Sequence, residues 1–131
     1  MVCLDSSFLA DFFRNSTNEV ERYKKFVSSG ERIFLPSVVV MELFLGVKKR
    51  GNLAVEKKIN YFFEHIDVLD FNKRSALLSG EILATLEKKG EVVDFRDVMI
   101  ASVCIANDIE LLTNNIKHFE RLKKFGLKLV K

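Results

Sequence analysis

The chain has 131 residues, of which 48% are hydrophobic and 30% charged, with a formal net charge of +3. This composition is too apolar for disorder, the length suits one domain with its own core, and no apolar run approaches the roughly 20 residues that span a bilayer. We therefore predict a single domain over residues 1–131 and no membrane association. The mild positive charge is compatible with nucleic acid but is not evidence for it.

The N-terminus and the cysteines predict a cytoplasmic protein. The opening sequence, MVCLDSS, reaches an acid at Asp5 and lacks the basic region of a signal peptide. Cys3 and Cys104 each lie in an apolar run, which is typical of buried thiols in a reducing compartment. A zinc site would need a tighter cluster than these cysteines form with His65 and His118.

Short apolar strands alternate with amphipathic helices along the whole chain. In chain order, the predicted elements are a strand at 2–4, helices at 8–13 and 17–29, a strand at 33–35, helices at 37–49 and 52–65, a strand at 68–69, helices at 72–89 and 94–107, a strand at 109–112, a helix at 116–123 and a strand at 127–130. This alternation predicts a three-layer α/β/α sandwich with a short, mostly parallel sheet. In such folds the functional crevice lies beyond the carboxyl ends of the strands.

The segment 37–49 is ambiguous, because three consecutive valines favour a strand while the later residues continue at helical spacing. We predict a helix. Glu42 then shares the apolar face with Val38 and Leu45, which is unusual for an acid. The structural explanations for such a glutamate are that its side chain extends to solvent or that it pairs with a lysine.

Two acids open the most informative segment, residues 92–115. Asp97 heads a stripe of apolar residues at helical spacing, so its carboxylate points toward the interior, where an unpaired charge is costly. Alternatively, Asp94 is the N-cap of this helix and Asp97 is the acid of a capping box. The segment alone does not decide between a functional and a capping role.

Other polar residues at predicted strand ends also have structural explanations when each is taken singly. Asp5 could cap the helix that follows it, and Asn115 could cap the helix at 116. Together, however, three or four acids at strand ends and on buried helix faces would repel one another, and a shared cation removes that conflict. Oxygen ligands favour Mg²⁺ or Mn²⁺, and such sites most often hydrolyse phosphate esters with a metal-activated water.

The motifs VCLDSS, VMELFLGV, DFRDVMIASVCIAND and LLTNNIKHFERL, in this order, resemble the PIN domain and, more narrowly, the VapC-type toxin ribonucleases of toxin–antitoxin modules. The resemblance covers essentially the whole chain. It implies a metal-dependent endoribonuclease that hydrolyses RNA, with metal-binding catalytic acids at Asp5, Glu42 and Asp97. The accessory positions that it implies are Asp94, Asn115, Thr113 and Ser7, and Ser6 matches a further small polar position near the family's metal site.

Two positions depart from the family pattern. Many members carry an acid at the position of Asn115 and an aspartate at the position of His118. The asparagine at position 115 weakens the expectation of a second metal site, whereas His118 is interpreted as a variant within the family and not as a sign of inactivity. His118 could act as a general base, although a lone histidine before an apolar residue such as Phe119 is more often structural.

The family further implies a homodimer and a cognate antitoxin that blocks the acidic groove, often with a basic side chain. The alternatives are an RNA-processing PIN nuclease without an antitoxin and a non-catalytic PIN binding module, although mutually repelling acids argue against the latter. Because an acidic pocket repels RNA, cations around its rim must hold the phosphate backbone. The cations that flank the motifs are Arg14, Lys48, Lys49, Arg50, Arg96 and Lys117, each of which taken alone is more often solvated surface charge.

Overall fold

The computed structural model describes residues 1–131 as four short strands, seven α-helices and a final 3₁₀ helix. In chain order they are β1 (Val2–Leu4), α1 (Ser6–Phe13), α2 (Thr17–Ser28), β2 (Ile33–Pro36), α3 (Ser37–Arg50), α4 (Leu53–Glu64), β3 (Asp67–Leu69), α5 (Lys73–Lys88), α6 (Phe95–Ala106), β4 (Glu110–Leu112), α7 (Ile116–Glu120) and the 3₁₀ helix Arg121–Phe125. None of the helices has both the length and the apolar character needed to cross a membrane.

The four strands form one parallel sheet in the order β3-β2-β1-β4. The chain moves outward from β1 through β2 to β3, and then returns to add β4 on the other side of β1. Leu4 at the end of β1 pairs with Leu112 at the end of β4. From β1 the chain continues to β2 on one side, and from β4 it continues to the Leu111–Leu129 bridge on the other side. The strand order therefore reverses between β1 and β4, and the crevice of this sheet lies beyond the carboxyl ends of these two strands.

Helices cover both faces of the sheet. For parallel strands in the order β3-β2-β1-β4, the rule that crossovers are right-handed assigns α1 to α4 to one face and the α5–α6 pair to the other. The largest fully buried side chains come from several elements, among them Phe8, Leu35, Ile100 and Phe119. Burying each contributes roughly 1.5–3 kcal/mol. The predicted three-layer α/β/α architecture is confirmed.

Helix α3 settles the ambiguity at residues 37–49, and it ends at Gly51, whose φ of 67° favours glycine. Its buried stripe runs through Val39, Leu43 and Val47 at i, i+4 and i+8. The placement of Leu45 on the apolar face beside Glu42 was wrong. Leu45 is exposed, because the helix is rotated so that its valines face the core.

The prediction of a last strand at 127–130 was also wrong. The segment forms only one isolated bridge, between Leu111 and Leu129. Two backbone hydrogen bonds support it, from the Leu111 N–H to the Lys128 carbonyl and from the Val130 N–H to the Leu111 carbonyl. Strand β4 has only three residues, which leaves little length for a longer ladder.

Candidate active site

Asp5 is the most buried acid at the carboxyl end of the sheet. It follows β1, is only 3% exposed, and its backbone N–H donates to the carbonyl of Leu112 at 3.0 Å. Its Oδ2 accepts hydrogen bonds from the hydroxyls of Ser7 and Thr113, both at 2.7 Å. Asp5 occupies the N-cap position of α1, as the capping explanation expected, but its side chain makes no capping bond to that helix.

The two hydroxyls that contact Asp5 are oriented by backbone amides. The N–H of Asn114 donates to Ser7 Oγ at 3.1 Å, and the N–H of Asn115 donates to Thr113 Oγ1 at 2.9 Å. Since each oxygen already accepts a bond, its own proton is available for Asp5 Oδ2. Asp5 Oδ1 keeps only a 3.4 Å contact with the Ser6 hydroxyl, so this oxygen retains most of its capacity for a further ligand.

Glu42 on α3 has a buried oxygen without a partner. Its side chain is 17% exposed, and Oε1 makes no hydrogen bond. Its Oε2 lies 3.8 Å from Nη1 of Arg96, so the predicted pairing with a lysine was wrong and the neighbouring cation is an arginine on α6. Burial, with the negative charge of Asp5 second, raises the pKa of Glu42 above its usual value.

Asp97 on α6 is a second half-buried acid, with a side chain that is 18% exposed. Its Oδ2 lies 3.4 Å from Nδ1 of His118, and it makes no capping-box bond to the start of its own helix. Burial raises the pKa of Asp97, and the negative charges of Asp94 and Asp5 act in the same direction. The hypothesis that Asp97 is the acid of a capping box was therefore wrong.

Asp94 is the true N-cap of α6. Its Oδ1 accepts a hydrogen bond from the Arg96 N–H at 2.8 Å, and Arg96 Nη2 lies 3.2 Å from its Oδ2. These bonds lower the pKa of Asp94 below its usual value. The two acids thus divide the roles that the sequence left open, because Asp94 starts the helix and Asp97 points toward Asp5 and Glu42.

The donor set of Asp5, Glu42 and Asp97 fits a hard divalent cation in its chemistry. All three are carboxylates, and the negative charge of Asp5 raises the pKa of both Glu42 and Asp97, while that of Asp97 also raises the pKa of Glu42. Glu42 Oε1 is an orphaned buried acceptor of the kind that an ion would satisfy. As the side chains stand, no three His, Cys, Asp or Glu residues are close enough to hold an ion together.

A cavity of about 460 Å³ opens beside Glu42 and runs between α1, α3 and α4. Its polar end includes Asn115, which stands at the expected N-cap position of α7 but makes no capping bond with its side chain. The remainder combines apolar and basic side chains. The other lining residues on α1, α3 and α4 are Ala10, Phe13, Arg14, Leu43, Gly46, Val47, Arg50, Val55 and Ile59.

Comparison with known proteins assigns the chain to a family. Residues 2–125 match the PIN domain family. The chain is 33% identical over 97 residues to Ribonuclease VapC2 of Rickettsia felis, which covers 73% of the chain and 72% of that protein. It is 33% identical over 103 residues to the tRNA(fMet)-specific endonuclease VapC of Salmonella typhimurium, covering 76% of each. The chain therefore belongs to the PIN-domain family.

The fold agrees with this assignment. The crystal structure of VapBC2 from Rickettsia felis bound to a DNA fragment from their promoter superposes with a TM-score of 0.87, at 27% identity, covering 99% of this chain and 98% of that one. The VapC relatives place the chain among the VapC-type members of the PIN family. The resemblance in the sequence motifs is confirmed.

Three of the six cations predicted at the rim of this PIN-domain site line the cavity: Arg14, Arg50 and Arg96. Arg96 is already paired with Asp94 and Glu42. Arg14 has only a 3.6 Å contact with Asp11. The cations that do not line the cavity are Lys48, which pairs with Glu56 at 2.9 Å, Lys49 and Lys117.

His118 does not pack in the core of the PIN fold. Its side chain is 61% exposed, whereas the adjacent Phe119 is fully buried. The packing role at this position therefore belongs to the phenylalanine. His118 instead faces Asp97, which gives it a place in the site.

Sequence reasoning missed Asn114. Its Nδ2 donates to Asp11 Oδ2 at 2.7 Å and lies 3.3 Å from Glu19 Oε1, and so joins α1 and α2 to the segment after β4. Glu19 is buried, and its pKa is lowered chiefly by a hydrogen bond from the Ser16 hydroxyl. The polar run after β4 was a visible signal, but its acidic partners lie far away in the sequence.

The raised pKa of Glu42 predicts a pH-dependent stability difference in metal-free protein. The folded state binds a proton more tightly than the unfolded chain, so the penalty for ionised Glu42 is absent below its usual pKa of 4.5 and complete above its raised pKa. We expect Glu42→Gln to be more stable than wild type at neutral pH, with the difference shrinking as the pH falls toward 4.5. Urea unfolding across this range measures it. A difference independent of pH would contradict the prediction.

Proposed function

We propose that this PIN-domain protein is a Mg²⁺- or Mn²⁺-dependent endoribonuclease, with Asp5, Glu42 and Asp97 as its catalytic metal ligands. The observation that carries the proposal is Glu42 Oε1, an acid oxygen that is buried, unpartnered and close to other acids. Such an oxygen costs free energy unless a cation completes its surroundings. The VapC relatives, one named as a ribonuclease and one as a tRNA-specific endonuclease, support RNA as the substrate.

The chain's own residues provide a preorganised acidic site. When bound, Mg²⁺ or Mn²⁺ supplies Lewis acidity toward the scissile phosphate and generates the nucleophile from water. Ser7 and Thr113 hold Asp5 Oδ2 and leave Oδ1 for the ion. Asp94 fixes the start of α6 and thereby the position of Asp97. Asn115, at the polar end of the cavity, is an accessory residue.

The proposed protein partners are a second copy of the chain and an antitoxin that binds in the cavity beside Glu42. A toxin of this type acts in the cytoplasm as a homodimer and is held inactive by a cognate antitoxin, and the VapBC2 complex of Rickettsia felis supports such a partner. The cavity beside Glu42 offers an apolar compartment next to the acids. An antitoxin segment could place apolar side chains in this compartment and one basic side chain against the acids. An RNA-processing nuclease without an antitoxin would have no protein that binds there.

A circular RNA provides the direct test of an endonuclease. We expect purified protein with Mn²⁺ to convert a circular single-stranded RNA into linear product, because a circle has no ends for an exonuclease. Asp5→Asn protein, prepared in parallel, should leave the circle intact. Wild-type protein that degrades only the linear form would contradict the endonuclease assignment.

The exposed cavity arginines should contribute most of the salt dependence of RNA binding. Each phosphate that a cation neutralises releases counterions, so the logarithm of affinity falls with the logarithm of salt concentration. We expect Arg14→Glu and Arg50→Glu, made in the inactive Asp97→Asn background, each to reduce that slope by roughly 0.7, the single-strand value per phosphate. Fluorescence anisotropy between low and moderate salt measures the slope.

The matched control is Lys58→Glu, which makes the same charge reversal on an exposed residue of α4 outside the cavity lining. Its slope should stay close to that of the background protein. Equal effects from Lys58→Glu and Arg50→Glu would mean that net charge, and not the cavity rim, governs RNA binding.

A further inference from the structure

His118 lies next to Asp97 without a role in either the core or the proposed metal ligation. Its Nδ1 is 3.4 Å from Asp97 Oδ2, and its exposed ring has no hydrogen bond that would hold it elsewhere. The chain has only one other histidine, His65, which lies at the end of α4 with Nδ1 2.8 Å from the carbonyl of Tyr61. The two histidines thus differ in what their Nδ1 atoms face.

The backbone around His118 is fixed, although its ring is exposed. The His118 N–H donates to the carbonyl of Asn115 at 3.0 Å, and the next residue, Phe119, is fully buried in the core. These two anchors hold α7 beside the start of α6, where Asp97 lies. The fold therefore fixes the backbone of His118 at a position from which its ring reaches Asp97.

A histidine in this position can orient a carboxylate. A neutral imidazole that carries its proton on Nδ1 donates to one carboxylate oxygen and leaves the other free for a cation. Such neighbours fix the orientation of metal-binding groups, and their loss typically costs 10–100-fold in metal affinity or activity. A distance of 3.4 Å is long for a hydrogen bond, but bonds of this kind are often long in ligand-free sites and tighten in the complex.

We infer that His118 is a positioning residue for Asp97, whose Nδ1–H holds Oδ2 so that Oδ1 is presented to the metal ion. The inference rests on the proposed metal-dependent function. It explains how a chain with His118 in place of an acid keeps an ordered site, because the histidine orients an existing carboxylate and adds no further negative charge.

Calorimetric titration of Mn²⁺ into the whole protein without RNA tests this role. We expect His118→Ala to raise the Kd for Mn²⁺ by roughly 10–100-fold. His118→Asn should restore most of the affinity, since its amide N–H lies near the position of Nδ1. His118→Gln should not, since its amide lies near the position of Nε2. The matched control His65→Ala should bind Mn²⁺ as wild type does.

The outcomes separate this inference from the proposed function. Wild-type affinity in His118→Ala would overturn the positioning role while leaving the metal site standing. Recovery in His118→Gln but not in His118→Asn would also overturn it, because the active nitrogen would then be Nε2. Absence of Mn²⁺ binding in the wild type would overturn the proposed function itself. If His118→Ala fails to fold, the comparison of the Asn and Gln variants still decides.

Discussion

Replacing Asp97 with asparagine is expected to lower RNA cleavage by roughly 10²–10³-fold or more, because the ion loses a charged ligand worth several kcal/mol in the transition state. The fold should persist. Asparagine keeps the size of the side chain, and removing a charge that burial already disfavours should leave the metal-free free energy of unfolding unchanged or higher. Single-turnover cleavage rates and urea unfolding without metal measure the two effects separately.

Asp94→Asn is the matched control, because the same chemical change is made three residues earlier in the chain. Asparagine is as good an N-cap as aspartate, so the bond from the Arg96 N–H to the capping oxygen can persist. Its effect on cleavage should be milder than that of Asp97→Asn. If Asp97→Asn instead unfolds the protein while activity per folded molecule stays unchanged, Asp97 is a capping residue and not a ligand.

Binding of Mn²⁺ should raise the melting temperature of the wild-type protein substantially. An ion that binds only the folded state at 100 times its Kd stabilises by about 2.7 kcal/mol, which corresponds to roughly 10 °C for a domain of this size. In the folded state, burial and the repulsion between neighbouring acids both disfavour the charged forms of Glu42 and Asp97. A bound cation relieves both effects, and this relief is the source of the stabilisation. Thermal unfolding at increasing Mn²⁺ concentrations gives the shift.

The double variant Glu42→Gln/Asp97→Asn is the control for this stabilisation. It should start from an equal or higher melting temperature without metal and gain little from Mn²⁺. Calcium can bind oxygen ligands but is larger and looser in its geometry, so it should stabilise the wild type while supporting little cleavage. An equal Mn²⁺ shift in the wild type and the double variant would place the ion elsewhere on the protein.

The element order could be predicted from the sequence because apolar periodicity differs between strands and helices. The same pattern placed Asp5 and Thr113 at carboxyl ends of strands. It could not predict that β4 lies directly beside β1, which brings the hydroxyl of Thr113 to 2.7 Å from Asp5 across 108 positions of sequence. Strand order depends on the packing of all the helices together, and no local pattern contains it.

The side-chain pairings inside the site were the least predictable part. Glu42 was expected to meet a lysine, whereas the crossing of α3 and α6 brings it to Arg96. Asn115 stands at the N-cap position of α7, as expected, but its side chain makes no capping bond; the residue lines the cavity, and its backbone N–H donates to Thr113 Oγ1. A sequence pattern says which face of an element a residue occupies, but the partner on that face comes from another part of the chain.

Cleavage of a defined RNA before and after removal of divalent ions tests the central claim most directly. The claim is that Asp5, Glu42 and Asp97 act through a bound cation, so wild-type protein in excess chelator should show no cleavage, and added Mn²⁺ should restore it. The Asp97→Asn protein should stay inactive in both conditions. Full cleavage by the wild type in excess chelator, at a rate that Asp97→Asn abolishes, would show that the acids act without a metal and would contradict the proposed mechanism.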